Sequence, residues 1–149
     1  MDSRFETAKH IFTMQGLLSK LLCALQRRLV KHDQTKLEEP EVEVFDKVTE
    51  KLHGLTYSSP EYNAMLAQLK PALDHHYQYN RHHPEHFCHG IRDMNLVDLC
   101  ELICDWKAAS LRHADGNIRM SIEKNQERFG YSDELKQILL NTIELLEQE

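Results

Sequence analysis

The sequence predicts an all-α protein, a single helical domain over residues 1–149 with about five to seven helices. Five glycines and four prolines among 149 residues leave few places to break a helix. Apolar residues recur at intervals of three and four almost throughout, and the strict alternation of a half-buried strand is absent. A chain of this length supports one hydrophobic core.

The first helix is expected from about Phe5 to Val30, where Ile11, Met14, Leu17, Leu18, Leu21, Leu22, Leu25 and Leu29 form apolar stripes. The second covers Glu41 to Leu52 and stops before Gly54. Ser59-Pro60-Glu61 is a start signal, with a serine cap and a proline at the first helical position. That third helix runs past Pro71, an expected kink or break, and ends near His82 because Pro84 disfavours helical geometry at His83. Asn95 with Asp98 three residues on has the form of a capping box, and Leu96, Leu99, Ile103 and Trp106 supply the apolar face of the helix that follows. The last helix starts at Ser132, with Asp133 and Glu134 favourably placed in its first turn. Ile138, Leu139, Ile143, Leu145 and Leu146 are expected to pack it on the core.

The formal charge of −6 with neutral histidines argues against a general nucleic-acid-binding surface. Lys20, Arg27, Arg28 and Lys31 read as a solvated helix face rather than a binding patch. The polar stretch Met1 to Lys9 does not resemble a signal peptide, and no apolar run approaches the roughly 20 residues of a membrane span. Cys23, Cys88, Cys100 and Cys104 lack zinc-ribbon spacing, and Cys100 and Cys104 are expected to be small buried hydrophobes. A cytoplasmic protein with no membrane partner is the expectation.

Chemistry is concentrated in three places: Lys31-His32-Asp33-Gln34-Thr35-Lys36, the stretch from His75 to His86, and Asp105. Imidazole and carboxylate are the ligands of Zn, Fe, Mn and similar ions. His32 and Asp33 cannot both face one ion from mid-helix, since neighbours diverge by about 100°, but they can converge at a helix end. His10 stands 22 residues earlier, roughly 33 Å away along a continuous helix. A site using both requires the chain to reverse between them, at Gly16 to Lys20. Asp98, Glu101, Asp105 and Arg112 trace a polar stripe, in which Asp98 and Glu101 are either solvated or paired. Asp105, set between Leu102-Ile103-Cys104 and Trp106, is expected away from solvent, where a carboxylate needs a partner or a metal. His53, His89 and His113 read as surface residues. Glu85 reads either as surface or as a carboxylate orienting an imidazole, and Asn80 and Arg81 as substrate contacts or turn formers.

His10, His32-Asp33 and Asp105 together resemble the H…HD…D signature of the HD-domain superfamily, helical proteins that are mostly metal-dependent phosphohydrolases. Lys36 extends the dipeptide to HDxxK, and His75-His76 with His82-His83 resemble the intervening histidines of the branches that bind two metals. More narrowly, HD…HHxxxNRHHPEH…DLxELxxDWKAAS resembles a family of small phage and bacterial proteins. The interval between the middle histidines, about seven residues, is shorter than in most two-metal members. The resemblance implies a domain of HD type in which His10, His32, Asp33 and Asp105 hold a first metal and His76 and His83 a second. It implies catalytic roles for Asp33, Lys36 and His82, with His75, His82 and His86 meeting phosphate or moving protons. The implied cofactor is one or two divalent ions among Zn, Mn, Fe, Mg, Ni and Co. The implied substrate is a small phosphate ester such as a nucleotide, and a homodimer is compatible with this. Two other readings stay open, an HD-type di-iron oxygenase and a non-enzymatic phage-type accessory or interaction protein.

Overall fold

The computed structural model describes residues 3–52, 60–112 and 116–148. Among them are six α-helices and no strand: α1 (Ser3–Lys31), α2 (Glu41–Leu52), α3 (Pro60–Tyr79), α4 (Leu96–Ser110), α5 (Ile118–Phe129) and α6 (Asp133–Leu146). Short 3-10 turns follow α1 at Gln34–Leu37 and link α3 to α4 at Pro84–His86 and Gly90–Asp93. The all-α expectation is met, and no helix among the described residues is long and apolar enough to cross a membrane.

Caps explain where several helices begin. Asn95 Oδ1 accepts from the backbone N–H of Val97 and Asp98, while the Asp98 carboxylate accepts from the N–H of Asn95, the reciprocal pair of a capping box. Ser132 caps α6 through the N–H of Leu135. α5 is a helix beyond those expected from the sequence, and its start is capped by Asn117. Its end is set by Gly130, held at φ +64, the left-handed geometry that glycine adopts without penalty. The serine cap expected at Ser59 lies outside the described residues, as do His53 and His113.

The core lies between α4, α5 and α6. Ile103, Ile118, Ile122, Leu139 and Ile143 are buried together with Tyr131, whose hydroxyl donates to the Ile122 carbonyl. Trp106 and Phe129 pack against this cluster with their rings stacked. Only a narrow stripe of each helix is used. Ile138, Leu145 and Leu146, expected in the core, fall beside that stripe and are exposed, as is Leu96 at the start of α4. Cys100 and Cys104 are likewise exposed, because the side of α4 that carries them turns away from α5 and α6.

Two features of the long helices differ from expectation. α1 is continuous from Ser3 to Lys31, without the reversal at Gly16 to Lys20 that joining His10 to His32 would require. One glycine costs only about 1 kcal/mol inside a helix, too little to break one with good formers on both sides. α3 runs through Pro71 to Tyr79 and stops three residues short of His82, so His82 and His83 lie on the turn that follows.

Candidate metal centre

The end of α1 builds the first part of the centre. His32 still closes a helical hydrogen bond to the Arg28 carbonyl, and Asp33 then takes φ 55, ψ 11. A left-handed aspartate is an uncommon conformation. Here it turns the Asp33 carboxylate back beside the preceding imidazole, so that Oδ2 lies 3.6 Å from His32 Nε2. Convergence at a helix end, the condition set by the sequence, is met in this way.

The end of α3 and its following turn supply the middle histidines. Asp33 Oδ1 lies 3.3 Å from His76 Nε2 and 3.4 Å from His82 Nε2, and His76 Nε2 lies 2.9 Å from His83 Nε2. Asp105, on α4, places Oδ1 3.6 Å from His32 Nε2. Two overlapping quartets result, Asp33 with His76, His82 and His83, and Asp33 with His32, His82 and Asp105. In each, the candidate ligand atoms all fall within 4.8 Å of one another, close enough to hold a metal ion.

Two glutamates aim the imidazoles. Glu41, fully buried at the start of α2, brings Oε2 to 2.9 Å from His76 Nδ1 and Oε1 to 2.7 Å from His75 Nδ1. Glu101 Oε1 lies 3.0 Å from His32 Nδ1 and 3.2 Å from His82 Nδ1. A carboxylate accepts only, so at His32 and His76 it draws the proton to Nδ1 and leaves the Nε2 lone pair turned inward. Carboxylates behind ligating histidines act in this way in metal proteins. Asn80, buried, donates to the Thr35 hydroxyl and to the His76 carbonyl, fixing the turn between α3 and His82.

The buried polar atoms fit a cation. Asp33 Oδ1 and both ring nitrogens of His82 are buried and make no hydrogen bond of proper geometry among the described residues, although they lie 3.2–3.4 Å from neighbours. Polar atoms left so inside a protein are costly unless a charge or ligand completes them.

Electrostatics point the same way. Burial alone would raise the Asp33 pKa, but contacts with His76, His82 and Lys36 hold its carboxyl far below the usual range. Burial would lower the His82 pKa, yet Asp33, Glu101 and the charge of Asp105 push it up to about 9. Partial burial and the neighbouring charge of His82 push the half-buried His83 down to about 3, so it stays neutral. Metal-free protein therefore keeps His82 charged as a stand-in cation, with a folded pKa above its ordinary 6.5. The resulting stability is fully present below pH 6.5 and is lost as pH rises through about 9. With chelator present, the melting temperature should fall over this window, and metal affinity should rise across it as the competing proton leaves. Thermal melts and metal titrations from pH 6 to 9.5 check both trends; a flat profile in either contradicts this arrangement.

The sequence-predicted residues thus divide cleanly. His32, Asp33, His76, His83 and Asp105 come together, and His82, expected as a catalytic group, belongs to both quartets. His10 does not join them: it is exposed on the straight part of α1, roughly 33 Å along the helix from His32. Lys36 Nζ sits 2.6 Å from Asp33 Oδ2 at the edge of the centre. His75 is tied to Glu41 and His86 lies against the Tyr77 carbonyl, while His89 is exposed and pairs with Asp93. Glu85 pairs with Arg128 rather than with an imidazole. Arg81 clamps Asp98 with two nitrogens, and Arg28, read as part of a solvated face, bridges Asp98 and Glu101. Glu41 and Glu101 were missed as orienting groups.

Fold and centre together define an all-α protein whose helix ends converge on a His/Asp cluster able to hold a metal ion. The chain belongs to a family of unknown function, DUF5662, whose sequence model matches residues 1–145. Comparison with curated proteins and with solved structures gave no match.

Proposed function

We propose that the protein is a metal-dependent phosphohydrolase acting on small phosphate esters, nucleotides among them. The observation that carries this reading is the pair of carboxylate-backed imidazoles, His32 on Glu101 and His76 on Glu41, each of which turns Nε2 toward Asp33. The resemblance of His32-Asp33, the middle histidines and Asp105 to the HD-domain pattern supports the same reading. The quartets overlap at Asp33, whose two carboxylate oxygens could serve two ions, while His82 Nε2 has one lone pair and would serve only one of them. An imidazole-rich set suits Zn, Fe, Ni or Co better than Mg. When bound, such an ion lowers the pKa of its water toward neutrality and draws charge from a phosphoryl oxygen.

The remaining groups have roles that follow from position. Lys36, partly exposed at the rim, offers a compact charge to a phosphate oxygen. A cavity of about 440 Å³ opens on His32 and Asp105 and is walled by Leu25, Leu29, Cys100, Cys104 and Ala108. It gives room for the part of the ester beyond phosphorus.

The test combines elemental analysis of protein purified without chelator with phosphate release from nucleotides and non-nucleotide esters. Metal-dependent release, abolished by chelator and restored by one metal, is the expected result. Metal-loaded protein that releases no phosphate from any ester would overturn the reading, and bound iron with an oxygen-dependent spectrum would move it to oxygen chemistry.

A further inference from the structure

Every residue of α1 from Ser3 to Cys23 is exposed, and the helix as a whole buries none of its side chains. Ile11, Met14, Leu18, Leu21 and Leu25 follow one another at spacings of three, four, three and four, with Leu22 and Leu29 alongside. That is the heptad seam by which one helix packs on another. At about 100° per residue, Lys9, Lys20 and Arg27 fall on the opposite face. The seam continues onto the body, where Cys100, Cys104, Ala108 and Leu111 form an exposed stripe of α4 next to the end of α1. Contiguous apolar surface on this scale marks an interaction site.

We propose that α1 pairs antiparallel with α1 of a second copy of this chain, a dimer contact that does not depend on the metal reading. Three arguments select this occupant. The 3.5-residue repeat suits a helix partner rather than a flat surface. The 24 residues of α1 that pair when Leu18 faces Leu21, 8–31, span about 36 Å at about 10 Å across, so half their lateral surface is on the order of 570 Å². With the α4 stripe added, this approaches the roughly 800 Å² per partner of a stable interface. Charge then sets the direction. α1 carries six basic residues and one acidic, a net +5 in a chain of −6, so the rest carries −11. Parallel pairing would set two acidic bodies side by side at the same end; antiparallel pairing lays each basic arm toward the other copy's acidic body.

The register follows. Leu18 against Leu21 places Met14 against Leu25 and Ile11 against the stem of Arg28, a symmetric, self-complementary contact. His10 of the partner subunit then lies opposite Leu29, on the open side of the cavity beside His32 and Asp105. The N-terminal half of each α1 would thus wall the other copy's cavity.

Light scattering on the full chain at about 50 μM should give twice 17.5 kDa. Leu18 and Leu21 are exposed in the single chain, so Leu18→Glu with Leu21→Glu should leave helicity and metal content unchanged while weakening dimerisation about 100-fold or more. Spin labels at His10→Cys, with native cysteines replaced by serine, should sit about 30 Å apart, since antiparallel pairing offsets them by about 19 residues. A monomeric wild type, a dimer indifferent to both glutamates, or labels within about 15 Å would each overturn the proposal. Binding of anionic vesicles by a monomeric chain would also overturn it and assign the face to lipid.

Discussion

Asp33→Asn should remove most of the bound metal, to below about a tenth of the wild-type content, and cut phosphate release by about 1,000-fold or more. Asn is the informative replacement because it keeps the size of the side chain and tolerates the left-handed backbone at φ 55. Alanine would add a backbone penalty and blur the result. What asparagine removes is the negative charge that faces His32, His76, His82 and Lys36 together. No other side chain serves both quartets from a carboxylate, so no neighbour can replace it among the described residues. The fold should survive, since Asp33 touches the centre and not the α4–α5–α6 core. Glu41→Gln is the comparison: it keeps every inward-facing ligand and should weaken metal affinity by only about 10–100-fold. Metal content, melting temperature and phosphate release on the same preparations separate the two. If Asp33→Asn retained full metal, or lost no more activity than Glu41→Gln, the shared position of Asp33 would be wrong.

The contrast between these two residues also explains what the sequence could reveal. Asp33 was legible because it adjoins a histidine at a polar helix end, and the middle histidines because imidazoles at that density have few other uses. Glu41 gave no comparable signal. A glutamate in the first turn of a helix is ordinary dipole chemistry, and its burial against His75 and His76, 34 and 35 positions further on, depends on α2 packing on α3. Glu101 was visible as part of a polar stripe, but whether that stripe faced solvent or histidine was a tertiary matter. His10 shows the opposite error: order along the chain suggested a ligand, while the stiffness of an unbroken helix keeps it far from the rest. The helix starts at Asn95 and Ser132 were readable because capping is local; α5 was not, although Asn117 and Gly130 mark its limits, because its mostly polar interior gives little apolar periodicity between them.

Asp98→Ala should cost about 3 kcal/mol or more and lower the melting temperature by roughly 10 °C, the largest stability loss expected from one polar side chain here. Asp98 is fully buried and receives four donors: Arg28 at 2.7 Å, Arg81 at 3.1 and 2.9 Å, and the N–H of Asn95 at 3.1 Å. These donors come from α1, from the turn after α3 and from the cap of α4, so one carboxylate joins three parts of the chain. Burial would raise its pKa, but Arg81, the Asn95 N–H and Arg28 hold it below the ordinary 3.8. Its contribution is therefore present above pH 3.8 and lost as pH falls through the lower folded value. Alanine leaves Arg81 without its carboxylate and removes half of the capping box, while Arg28 keeps only Glu101. Because Arg81 adjoins His82, and Glu101 holds His32, the loss should reach the centre as well, with weaker metal binding accompanying the lower stability. Denaturant unfolding in chelator isolates the structural part, and metal titration of the folded fraction isolates the rest. A variant that unfolds at the wild-type denaturant concentration would show that the Asp98 cluster does not join these elements.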